Sequence, residues 1–134
     1  MPPVAISRIP YALDGFLRSV LPDGLFVAWD GVQAKAPESA LWVRPTCIPG
    51  GILDGEKGKD GYAPRTGLYY VEVMAPHPVL PKRAWELAGT IETAFRREQV
   101  ECINFGDPHT ENLGVDQYNV FRVRVVIEWW CWTV

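Results

Sequence analysis

Little in this chain is suited to chemistry at a metal or a thiol. It has two histidines and three cysteines in 134 residues. Cys47, Cys102 and Cys131 are an odd number with no C-x-x-C spacing, which excludes a thioredoxin-type pair and a zinc ribbon. All three lie in apolar runs, the pattern of reduced, buried thiols. An excess of positive charge is missing too. Lys and Arg number 13 against 16 Asp and Glu, a net charge of −3, and the two signs are interspersed, so tight nucleic-acid binding has no electrostatic footprint. No run approaches the roughly 20 apolar residues of a membrane span, and "MPPVAISRIP" has no apolar stretch of signal-peptide length. There is no internal repeat. What these absences leave is one reduced, cytosolic domain over residues 1–134, long enough to bury a core without disulfides or metals.

What is present is a sequence of well-marked elements. In "SRIPYALDGFLRSVLPDG" the residues Ile9, Leu13, Phe16, Leu17, Val20 and Leu21 recur at helical spacing, with Ser7 as a possible N-cap and Pro22 and Gly24 as the stop. "LFVAWDG" and "ALWVRPT" are short β-branched and aromatic runs that predict a hairpin with a long polar connection, and Pro45 marks the second as an edge strand or strand end. Residues 49–67, "PGGILDGEKGKDGYAPRTG", hold six glycines and two prolines among charges of both signs, which predicts a mobile loop at about 49–66. "GLYYVEVMAP" alternates as a strand. "PKRAWELAGTIETAFRREQ" predicts a helix with Pro81 in its first turn and a stripe of Ala84, Leu87, Ala88, Ile91 and Phe95, leaving Trp85 and Glu92 off the stripe. "VECINF" reads as a short strand and "GDPHTENLGVDQ" as a loop. The expected fold is α+β, a mostly antiparallel sheet of about five strands with two helices packed on one face.

The terminal stretch, "YNVFRVRVVIEWWCWTV", alternates with strand period. Phe121, Val123, Val125, Ile127, Trp129 and Cys131 share one face. Arg122, Arg124, Glu128, Trp130 and Trp132 share the other, so the last part is apolar on both sides. At roughly 3.3 Å per residue the stretch would span about 55 Å, against a diameter of roughly 35–40 Å for a compact chain of this length. Either the strand bends and closes its own core, or its end reaches a neighbouring subunit and adds to that sheet.

Catalytic patterns are weak. Gly50 and Gly55 have the interval of a phosphate-binding loop, but Glu56 stands where a Lys is required. Asp107, His109 and Glu111 fall close together in "GDPHTEN", as an acid/base pair or metal site would, yet alternate residues of a Pro-containing turn are usually solvated and no second cluster supplies further ligands. His77, between Pro76 and Pro78, reads as structural. Cys102 and His109 form a conceivable nucleophile pair without an evident activating base. The expectation is therefore a non-enzyme with no catalytic residues, no cofactor and no metal.

Taken in order, the first helix, "LFVAWDG", "LWVRP", the Gly-rich stretch, "GLYYVEVMAP", the "AWELAGTIETAF" helix and the final strand resemble the bacteriophage tail terminators, the minor tail proteins that cap long phage tails. The resemblance covers most of the chain, and the join of "GLYYVEV" to Pro76 and the following helix is its most family-like part. It implies a structural virion protein that assembles as a homohexameric ring, ends tail-tube polymerisation and joins the tail to the head connector. The implied partners are other copies of itself, the tail tube protein and a head–tail connector or completion protein; phage DNA would pass through the lumen without specific binding, and no membrane is involved. The implied location is the virion tail, with host cytoplasm during assembly. Trp85, Trp130, Trp132, Arg122 and Arg124 are the candidate subunit interface. Asp54, Glu56, Lys57, Lys59 and Asp60 are candidate tube contacts, in a loop expected to order (residues 50–64) on assembly. The alternatives are another phage neck or tail completion protein or, from a different class, a small ligand-binding or hydrolytic domain using the 106–112 loop.

Overall fold

The structure, a computed structural model, describes residues 4–52 and 63–133. The fold is α+β: two helices and a mixed sheet of seven short and long strands. Helix α1 (Arg8–Val20) buries Ile9, Ala12, Leu13 and Leu17, one face of a 3.6-residue period. Pro10 falls in its first turn, where backbone N–H groups have no intrahelical acceptor to lose. Ser7 occupies the N-cap position without making a side-chain capping bond. Helix α2 (Pro81–Phe95) starts on Pro81 and buries Ala84, Leu87, Ala88, Ile91 and Phe95, the stripe expected from its spacing. Both helices lie on the same face of the sheet, because Tyr69 meets each of them: its hydroxyl donates to Asp14 Oδ1 of α1 at 2.6 Å and its ring lies 6.0 Å from that of Phe95.

The strands are β1 (Phe26–Val27), β2 (Trp42–Ile52), β3 (Ala63–Pro76), β4 (Gln99–Val100), β5 (Ile103–Phe105), β6 (His109–Val115) and β7 (Val120–Thr133). Their order is β1-β2-β3-β7-β5-β4, with β6 also paired to β7. The spine is the β3–β7 ribbon, 14 residues on each side, in continuous antiparallel register from Ala63↔Thr133 to Pro76↔Val120. On one face Tyr69, Val71 and Val73 of β3 and Val123, Val125, Ile127, Trp129 and Cys131 of β7 are buried under the helices.

Four expectations are corrected. The segments "LFVAWDG" and "ALWVRPT" do not form a hairpin: β1 and β2 run parallel, because residues 28–41 carry the chain back, a crossover of the dozen or more residues that parallel pairing needs. The sheet exceeds five strands because "VECINF" is a small hairpin, β4–β5, and because "HTENLGV" is a strand. The polar sequence of β6 lacks apolar alternation, but pairing with the long β7 overrides local preference. The glycine-rich stretch is shorter as a connection than expected, since β2 continues to Ile52 and β3 begins at Ala63. Residues 53–62, which include Asp54, Glu56, Lys57, Lys59 and Asp60, lie outside the described residues, and so does most of the span expected to order on assembly.

The fourth correction concerns the terminal strand. It is not too long for its domain, because β3 is equally long and pairs with all of it. Its end stays at home: Trp129 and Trp130 pair with Gly67 and Thr66 on one side and with Phe105 and Asn104 on the other, and Val4 N–H donates to Trp132 C=O at 2.8 Å. With both edges taken, β7 has no free backbone with which to extend a neighbour's sheet there. Trp129, Cys131 and Thr133 are buried in their own chain.

Candidate interaction surface

Alternation along the ribbon sends every second residue to the face away from the helices. There Trp130 and Trp132 are 47% and 39% exposed, with Ile48 at 40%. Ile48, Leu68, Glu128 and Trp130 border an open groove of about 620 Å³, whose floor includes Gly50, Thr66 and Gly67. The groove exists because small residues stand opposite the indoles in register: Thr66 opposite Trp130, Pro64 opposite Trp132. Arg122 and Arg124 lie further along the same face. Arg124 Nε is 3.2 Å from Glu111 Oε1 and its guanidinium sits 4.6 Å from the Tyr70 ring centroid. Arg122 Nε lies 4.0 Å from Asp116 Oδ2.

Of the sequence-selected residues, then, Trp130, Trp132, Arg122 and Arg124 share one face. Trp85 does not join them. It stands on α2, on the helix side, 41% exposed, with its ring 6.4 Å from that of Phe121 near the start of β7. Val115, opposite Phe121 in register, is 62% exposed, and Tyr118 in the following turn 76%. Phe121 and Trp130 are nine residues apart on one strand, roughly 30 Å. The chain therefore carries two apolar patches at opposite ends of β7 and on opposite faces of the sheet.

The edges presented by β2 and β6 are blunted. Val43 C=O accepts from Ala28 N–H at 2.9 Å, so odd-numbered residues of β2 turn their backbone groups outward. Beyond Val43 those are Pro45, Cys47 and Pro49, and the prolines have no N–H to offer, which discourages strand addition. On the other side, β6 carries an irregularity between Asn112 and Gly114; Gly114 has φ +74 and donates its N–H to Asn112 Oδ1 at 2.8 Å. Such a bulge twists an edge away from pairing. Strand addition is therefore discouraged along β2 and β6.

The residues considered for chemistry are otherwise engaged. Arg97 Nε donates to Asp107 Oδ1 at 3.2 Å, Glu111 holds Arg124, and His109 opens β6 opposite Val126. Among the described residues no group of three or more His, Cys, Asp or Glu is placed to hold a metal ion. A second hollow, about 250 Å³, lies between α1 and the free edge of β2 and includes Asp14, Asp30 and Cys47. Burial raises the Asp14 pKa against the opposing effect of the Tyr69 hydrogen bond, and Asp30 raises it further. Burial, with Asp14 and Asp30 adding to it, pushes the Cys47 thiol up to about 11, the wrong direction for a nucleophile.

Sequence reasoning missed Arg44, Ile48, Leu68 and Glu72 on the outer face. Each is unremarkable within its own strand, and only cross-strand register sets them beside Trp130 and Arg124. No helix among the described residues is long and apolar enough to cross a membrane.

No family model matches this chain, and no curated protein matches it. Seven solved chains match it in fold. One of them has a TM-score of 0.65 over 92% of this chain and 95% of its own, at 14% sequence identity. At that identity the likeness establishes the shared α+β fold.

Proposed function

We propose that this chain is a structural subunit of a phage tail, a tail terminator that closes into a homohexameric ring, ends tube polymerisation and receives the head connector on its other side. The observation that carries the reading is the pair of separate apolar patches, Trp85 with Val115 and Tyr118 at one end and Trp130 with Trp132 at the other. A closed ring is built from heterologous contacts, in which one surface of a subunit meets a different surface of the next, and it needs two unlike patches on opposite sides. Large half-exposed aromatics are the residues that dominate such contacts. The chain would act in the virion tail, reached from the host cytoplasm, with the tube protein and a connector or completion protein as partners and DNA passing through the lumen. A hydrolytic reading of the 106–112 region is disfavoured, because residues from His109 onward form a paired strand and the carboxylates of Asp107 and Glu111 are held by arginines.

Mixing the chain with its cognate tail tube protein and imaging by electron microscopy tests the reading. The expected result is a six-fold ring at tube ends and tubes that stop lengthening. Tubes that grow unchanged with no bound ring would refute it.

A further inference from the structure

The outer sheet face carries a feature that the tail-cap reading does not use. Arg44 of β2, Glu72 of β3, Arg124 of β7 and Glu111 of β6 stand in one cross-strand row, so the charges alternate plus, minus, plus, minus. Within the chain Arg44 Nη2 lies 3.1 Å from Glu72 Oε2 and Arg124 Nε 3.2 Å from Glu111 Oε1. The four side chains keep between 14% and 46% of their exposure, leaving them open to further partners. An alternating row of even length is its own complement after a half-turn about an axis that runs along the strands midway between β3 and β7.

We propose that the free chain pairs with a second copy of itself, outer face to outer face, about that two-fold axis. Arg44 then faces the partner's Glu111 and Glu72 faces the partner's Arg124, each contact occurring twice, as an isologous interface requires. The same rotation lays Trp130 over the partner's Thr66, in the groove that small residues leave open. Sheets stack at about 10 Å, within reach of side chains of this length. The charges set register and exclude other alignments, while the two indoles and Ile48 supply the apolar area. Strand addition does not compete, since Pro45, Pro49 and the β6 bulge blunt the edges. The inference does not rest on the tail-cap reading, because it concerns the chain alone in solution.

Sedimentation of three proteins tests it. In Arg44→Glu/Glu72→Arg the pair within the chain is preserved, but the row reads minus, plus, plus, minus, so every two-fold contact sets like charges together. Adding Glu111→Arg and Arg124→Glu restores an alternating row. The wild type should be a dimer that weakens with salt. The double variant should keep its circular dichroism while its dissociation constant rises at least about a hundredfold, as like charges meeting across an interface demand, and the fourfold variant should recover dimerisation. A monomeric wild type, or a double variant that dimerises as well as the wild type, would overturn the proposal; either outcome leaves the ring on tail tubes to its own test.

Discussion

Gly67 and Trp129 stand opposite each other on β3 and β7, and a Cβ at Gly67 would overlap the Trp129 indole and crowd Ile48 C=O at 2.8 Å. Gly67→Ala should therefore destabilise the fold by about 1–3 kcal/mol, the usual cost of overpacking, read from denaturant midpoints. The Asp14–Tyr69 pair sets a pH dependence. Asp14 has a higher pKa in the folded chain than its ordinary 3.8, so its contribution to stability is full below that value and is lost as pH rises through the folded one. Asp14→Asn, which keeps an oxygen for the Tyr69 hydroxyl, should flatten the stability curve across this acidic window and leave the variant more stable than wild type at neutral pH. Cys47 acts at the other end: its contribution is full below 9.0 and lost as pH rises through about 11, so Cys47→Ala should blunt the alkaline decline. Unchanged curves in both variants would contradict the burial assigned to these groups.

Among the elements, the β3–β7 ribbon decides what the aromatic terminus does. Removing residues 130–134 would take away the partners of Ala63 to Thr66 and the bond from Val4, together with the buried Cys131. That truncation should unfold or severely destabilise the monomer, by circular dichroism, whereas Trp130→Ser/Trp132→Ser should preserve the spectrum and cost well under the roughly 3–5 kcal/mol of a buried Trp→Ala change. Much of this was legible in the sequence. The stripes of α1 and α2 and the buried face of β7 follow from side-chain period alone, because each element sees a uniform core. The direction of β1 against β2 was not legible, since it depends on the path of the long connection rather than on either strand. Nor was β6, whose polar residues become a strand only because β7 offers an edge with arginines for Glu111 and backbone groups to pair. The outward position of Trp130 and Trp132 was readable from alternation, but the groove beside them was not, as it is made by Gly67 and Thr66 on a distant part of the chain.

The helices cover one face of the sheet, β2 and β6 present blunted edges, and the opposite face offers two indoles, a groove and a self-complementary row of charge. Both the proposed ring and the proposed free dimer would draw on that face, and the ring would add the Trp85 end. On both proposals the outer sheet face is a surface for assembly rather than an accident of exposure. Native mass measurement of the wild type beside Trp130→Ser/Trp132→Ser decides this: an assembled wild type and a folded, monomeric variant are expected, whereas two proteins of the same oligomeric state with matching circular dichroism would refute it.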